Sequence, residues 1–149
     1  KPTQKYTEFD GLLEQEIEDT IKAYDAHMDA LQVSLALQDV FALVSRTNKY
    51  IDETTPWVLA KDDANQPRLA RVMYNLLETI RVCAVLLKPF MPETSEKIFV
   101  QIGADDAYRS WESAAAFGVL PRTVAVSKGE AIFPRIDLAK ELEILGAQL

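Results

Sequence analysis

Apolar residues recur along most of this chain at helical spacing. Leu13, Ile17, Ile21 (or Thr20), Tyr24 and Met28 fall three and four apart, while Glu14, Glu16, Glu18, Asp19 and Asp25 fill the other side. That pattern predicts a first helix, capped by Thr7 or Asp10, with a solvated acidic face. The register changes around 29–32, and Val33, Leu37, Val40, Phe41, Val44 and Ile51 then trace a second stripe. A helix from Val33 to about Glu53, folded antiparallel on the first, follows from it. Leu69, Val72, Met73, Leu76, Ile80, Cys83 and Leu87 form a third stripe, widened by Leu77, Ala84 and Val85. Pro67 suits the opening of that helix, where a missing N–H costs nothing. So apolar a helix belongs at the centre of a bundle. Its arginines, Arg68, Arg71 and Arg81, are then expected on the outward face, with Glu78 and Arg81 as a surface pair.

Pro92-Glu93 opens a fourth helix with Thr94, Ile98, Phe99 and Ile102 inward, and Gly103 ends it. Ser110 caps a short helix that runs through alanines to Phe117-Gly118, in which Trp111 is a packing residue. Only the tail changes period. Val124-Ala125-Val126 and Ala131-Ile132-Phe133 flank Ser127-Lys128-Gly129-Glu130, the pattern of a β-hairpin with glycine in the turn. The expected fold is an all-α antiparallel helix bundle (1–118) with a small C-terminal β-hairpin (119–136) and a terminal helix or linker (137–149), in one domain.

The second stripe stops abruptly in Asn48-Lys49-Tyr50-Ile51-Asp52-Glu53-Thr54-Thr55-Pro56-Trp57. Proline disfavours helical geometry in the residue before it, so Trp57 begins a new turn, with Val58-Leu59-Ala60 completing it. Two roles are open to Trp57. It can plug the end of the core, the usual fate of an indole, or face solvent as a rigid ledge. Asn48 and Asp52 are one turn apart on the same face of the preceding helix, with Lys49 beside them. An aromatic ledge with amide, carboxylate and ammonium groups nearby suits an unstacked nucleobase. Tyr50 is either part of that ledge or a core-edge residue.

The run Asn48 to Trp57, continued by Val58-Leu59-Ala60-Lys61, resembles the proline-tryptophan turn of the anticodon-binding domain of bacterial methionyl-tRNA synthetases. Leu86-Leu87-Lys88-Pro89-Phe90-Met91-Pro92-Glu93-Thr94 and Phe133-Pro134-Arg135-Ile136-Asp137 extend the likeness over nearly the whole chain. The former of these two runs is also similar to the leucine, isoleucine and valine enzymes and discriminates less. The resemblance implies that Trp57 stacks on an anticodon base of methionine tRNA, chiefly the cytosine at its first position. Pro56 then shapes the turn, Asn48 and Asp52 hold the loop or the local backbone, and Lys49 and Lys61 are candidate phosphate contacts. It implies further that an asparagine and an arginine from a helix ahead of Lys1 complete the site.

Composition tempers this picture. The net charge is -7, which speaks against a surface that grips a long duplex and favours contact with a few loop nucleotides. Much of the acidity sits in the first thirty residues, while 41–90 carries a slight basic excess. Two rival readings stand beside it: the equivalent domain of another synthetase of the same class, of the leucine, isoleucine or valine type, and a helical scaffold that binds another protein through the acidic face of the first helix. Cys83 and His27 are single, so no intrachain disulfide or zinc site of the usual type forms. Cys83 is expected as a buried, inert thiol and His27 as a partly buried or surface residue. No His-Ile-Gly-His or Lys-Met-Ser-Lys-Ser type motif is present, so catalysis, ATP and magnesium are expected in the rest of a parent synthetase, and this fragment needs no cofactor. Its expected partners are tRNA and that catalytic domain, with no membrane contact and a cytoplasmic location; Lys1-Pro2-Thr3-Gln4 contains no leader and reads as the start of a fragment.

Overall fold

The computed structural model describes residues 6–133, 135 and 137–146. Three long helices form its body: α1 (Glu8–Asp29), α2 (Val33–Thr54) and α4 (Gln66–Leu87). Between α2 and α4 lie the single turn α3 (Pro56–Leu59) and a 3-10 turn (Asp63–Asn65). After α4 come α5 (Pro92–Ile102), a 3-10 turn (Asp106–Tyr108), α6 (Trp111–Ala114) and α7 (Leu138–Gly146). Side-chain pairs give the topology. Tyr50 meets Asp10 and His27 meets Asp39, so α2 runs antiparallel to α1. Asn75 meets Asp10 and Tyr24 meets Leu86, so α4 runs parallel to α1.

The main core fills the space between these three helices with Leu13, Ile17, Val40, Leu43, Val72, Leu76 and Leu86. A second cluster, with Val85, Phe99, Ile102, Ala114 and Leu120, seats α5 and the 104–120 segment on the far side of α4. Cys83 is buried, and desolvation pushes its thiol up to about 12, so it is inert at neutral pH, as expected. Trp111 packs its ring 5.7 Å from that of Tyr24 while keeping a solvent edge. Among the described residues, no helix is long and apolar enough to cross a membrane.

On α2 the stripe is rotated from the expected one. Its buried positions are Ala36, Val40, Leu43, Thr47, Tyr50 and Thr54, whereas Phe41 is 52% exposed and Val33 is exposed too. The hydroxyls of Thr47 and Thr54 donate to the carbonyls of Leu43 and Tyr50, each at 2.7 Å. A threonine satisfied within its own helix can occupy the core face. Thr79 does the same on α4, donating to the Asn75 carbonyl, and Met73 and Ile80 are correspondingly turned outward.

The arginines of α4 also depart from expectation. Arg81 and Glu78 are wholly buried rather than a surface pair. Arg81 donates to both Glu78 carboxylate oxygens and to the carbonyls of Tyr108, Ser113 and Ala116. Glu78 in turn accepts the N–H groups of Gly118 and Leu120. The pair therefore stitches the segment after α5 to α4. Arg68 points inward as well, 2.6 Å from Asp10, which lies on the buried stripe of α1 with Leu13 and Ile17. Thr7 is the N-cap, and its N–H donates to Asp10 at 2.8 Å, the reciprocal half of a capping box.

No strand occurs among the described residues, which corrects the expected β-hairpin. Two strands joined by a turn are marginal unless a neighbour covers one face, and here the neighbour takes the place of the second strand. Val124 packs into the second core cluster, and the Ser127 N–H donates to the Gln101 carbonyl at 2.9 Å. Gly103 ends α5 with φ +66°, and a Cβ there would come within 2.5 Å of the Ala125 carbonyl oxygen. The 121–133 segment thus lies along α5 as irregular chain. Of the expected terminal helix, Leu138–Gly146 is helical. The lead-in 1–4, and residues 134, 136 and 147–149 of the appendage and terminal segment, lie outside the described residues.

Candidate functional site

The bend between α2 and α3 is built on one residue. Thr55 ends α2 and begins α3 at once: its N–H donates to the Ile51 carbonyl at 2.8 Å, and its own carbonyl accepts from Val58 at 2.8 Å. It does so at φ 43°, ψ 61°, in the left-handed region. A residue before proline ordinarily lies in extended geometry, and a β-branched side chain rarely takes positive φ. The strain turns the chain sharply and leaves Trp57 on a single helical turn with 54% of its surface open to solvent. Val58 beside it is exposed too, while Leu59 packs back against the main core. Trp57 is therefore a ledge and does not plug the core.

Asn48 and Asp52 are both exposed, one turn apart on α2, with Asp52 in the last turn before the bend. Pro56 is half-buried and opens α3. Asn48 also stands on the rim of a groove of about 280 Å³, floored by Val44, Ile51, Leu76, Ile80 and Ile98. Tyr50 is no part of the ledge. It points the opposite way, fully buried, and burial together with the bond to Asp10 pushes its phenol far above the ordinary tyrosine range.

The cations sort into two groups. Arg46 is held 3.0 Å from Glu53, and Arg68 and Arg81 are spent on Asp10 and Glu78. Lys49 and Lys61 are exposed, with Lys49 only loosely near Glu53 at 3.9 Å. Of the two residues nominated for phosphate contact, both thus remain on the surface, and the slight basic excess of 41–90 shrinks to a few side chains. His27 has a partner that sequence proximity did not suggest: its Nδ1 lies 2.6 Å from Asp39 across the α1–α2 pair. No three His, Cys, Asp or Glu side chains gather to hold a metal ion among the described residues.

The feature that sequence reasoning missed lies on the buried face of α1. Asp10, fully buried, accepts from Tyr50 Oη at 2.5 Å and Asn75 Nδ2 at 3.1 Å through one oxygen. Its other oxygen accepts from Arg68 Nη1 at 2.6 Å and from the N–H and hydroxyl of Thr7. Burial pushes this carboxyl up, yet the bonds from Arg68, Tyr50 and Thr7 outweigh burial and hold it below the usual range. A depressed folded pKa stabilises the fold above the unfolded value of about 4 and loses that contribution as pH falls through the lower, folded value. An acid titration followed by far-UV and near-UV circular dichroism is expected to show no loss from this group down to about pH 4. Asp10→Asn is expected to flatten the acid limb below it. The signal that could have found Asp10 is its register: it lies three and seven residues ahead of Leu13 and Ile17, on the buried stripe of α1, at capping-box spacing from Thr7.

Residues 2–144 match the family described as the anticodon binding domain of methionyl tRNA ligase. The chain is 47% identical over 144 residues to the methionine–tRNA ligase of Bacillus subtilis, covering 96% of this chain and 22% of that protein. It is 46% identical over 143 residues to that of Lactococcus lactis, with the same shares of each. Among solved structures, Mycobacterium tuberculosis methionyl-tRNA synthetase bound by methionyl-adenylate superposes with a TM-score of 0.79 at 29% identity, over 87% of this chain and 26% of that one. The chain spans about a fifth of the length of the curated relatives it matches. With its helical bundle and proline-tryptophan bend, the chain belongs to the family of anticodon-binding domains of methionyl tRNA ligase.

Proposed function

We propose that this chain recognises the anticodon loop of methionine tRNA for a methionine–tRNA ligase, with Trp57 as the platform on which an anticodon base stacks. The observation that carries the reading is the half-exposed indole on a strained bend. An indole in that setting stays rigid without ligand, so little ordering cost is added when a base lies on it. Asn48 and Asp52 supply polar groups from the last two turns of α2, Pro56 sets the exit angle, and Lys49 and Lys61 meet phosphates of the loop. In this reading, ATP-dependent aminoacylation with magnesium belongs to a catalytic body outside these residues, in the cytoplasm. The chain's own contribution is selection of the tRNA.

The test is a titration of the full-length protein with the methionine anticodon stem-loop and with one whose first anticodon base is changed. The expected result is a clear preference for the native loop, with a shallow dependence on salt because two lysines, Lys49 and Lys61, are assigned to its phosphates. Equal affinity for both loops would overturn the reading. Binding of a protein through α1 with no affinity for either loop would favour a scaffold instead.

A further inference from the structure

A left-handed, β-branched residue ahead of a proline persists only where the surroundings over-determine it. The local hydrogen bonds of Thr55 are those that any bend of this kind forms; Leu59 anchors α3 on the core, and the segments on either side add the remaining restraint. Ahead of the bend, α2 is tied down through Tyr50; beyond it, α4 is tied down through Arg68 and Asn75. All three side chains end on the same carboxylate, and Asn75 also donates to the Tyr50 hydroxyl at 3.1 Å.

We infer that Asp10 is a positioning residue for the base platform: from α1 it pins both roots of the 51–67 excursion and so holds the Thr55 bend in the geometry that presents Trp57. The inference rests on the reading of Trp57 given above. The chemistry fits a carboxylate specifically. Every group converging on Asp10 is a donor, and an ionised carboxylate is acceptor-only with room for several bonds. A methyl in its place would remove the acceptor that Tyr50, Asn75 and Arg68 share; Arg68 keeps its bond to Thr7 Oγ1, but the link between the two roots of the excursion is lost. An amide is a partial substitute, because the Asn75 side chain can turn over to meet it, but the charge opposite Arg68 is lost.

A double-mutant cycle in the full-length protein tests this, read as the KM for methionine tRNA beside methionine-dependent pyrophosphate exchange, which does not use the tRNA. Asp10→Ala is expected to raise that KM by roughly tenfold with pyrophosphate exchange unchanged, and Asp10→Asn by less. On a Trp57→Ala background the same Asp10→Ala change is expected to add less than about twofold, since a residue that acts through the indole has nothing left to position. If Asp10→Ala does not fold, Tyr50→Phe takes its place in the cycle. It removes only the α2 tie and keeps the ring in the core, with an expected rise of about threefold that again vanishes without Trp57. Equal increments with and without Trp57, or a fall in exchange activity that tracks loss of folded protein, would overturn the positioning role while leaving the platform in place. A Trp57→Ala enzyme with the native KM would overturn the platform itself, and the positioning role with it.

Discussion

Replacing Arg81 by methionine is expected to cost the domain about 3–5 kcal/mol of stability, because it strands a carboxylate in the driest part of the fold. Methionine fills much of the space of the arginine stem, so the loss reports the missing guanidinium and not a cavity. Glu78 would keep only the N–H groups of Gly118 and Leu120, and the carbonyls of Tyr108, Ser113 and Ala116 would lose their shared donor. Replacing both partners by apolar residues is not expected to restore stability, although it does so for some isolated buried pairs. Here the pair also bonds backbone groups of the 108–120 segment. Urea unfolding of the wild type, Arg81→Met and the double variant measures this. A loss under about 1 kcal/mol would mean that the 106–120 segment is held by its apolar contacts alone.

The second large effect is at the bend. Trp57→Ala is expected to cost roughly 1–3 kcal/mol in the transition state for tRNA charging, about one to two decades in kcat/KM, while methionine activation stays normal. Stability should change little, because an indole that is 54% exposed contributes only part of its area to the core. Trp57→Phe should recover part of the loss, since a smaller aromatic face still stacks. Steady-state aminoacylation beside pyrophosphate exchange separates these outcomes. A parallel fall in both would point to a folding defect in place of a lost contact.

Most of the helical frame is legible in the sequence because its apolar residues repeat at three and four. The rotated stripe of α2 is less so: Thr47 and Thr54 read as polar, although hydroxyls bonded to the carbonyl one turn back let them sit in the core. Glu78 and Arg81 have the spacing of an ordinary surface pair, and only the arrival of the 106–120 segment buries them. The tail alternates as a strand does, yet the groove beside α5 offers it a better partner than its own other half. At the site, the proline announces a bend and Trp57 an aromatic end. What the letters do not announce is the left-handed Thr55, which reverses the usual preference before proline; Asp10 lies in register with the apolar stripe of α1, but its charge reads as solvated until the donors of α2 and α4 are seen around it.

The central claim is physical contact between the Trp57 indole and the first base of the anticodon. A methionine anticodon stem-loop carrying the fluorescent analogue pyrrolocytosine at that position measures it, titrated into the full-length protein and into its Trp57→Ala variant. The account predicts that the wild type quenches the analogue and that the variant, even when saturated with RNA, does not. Identical quenching by both proteins would contradict it.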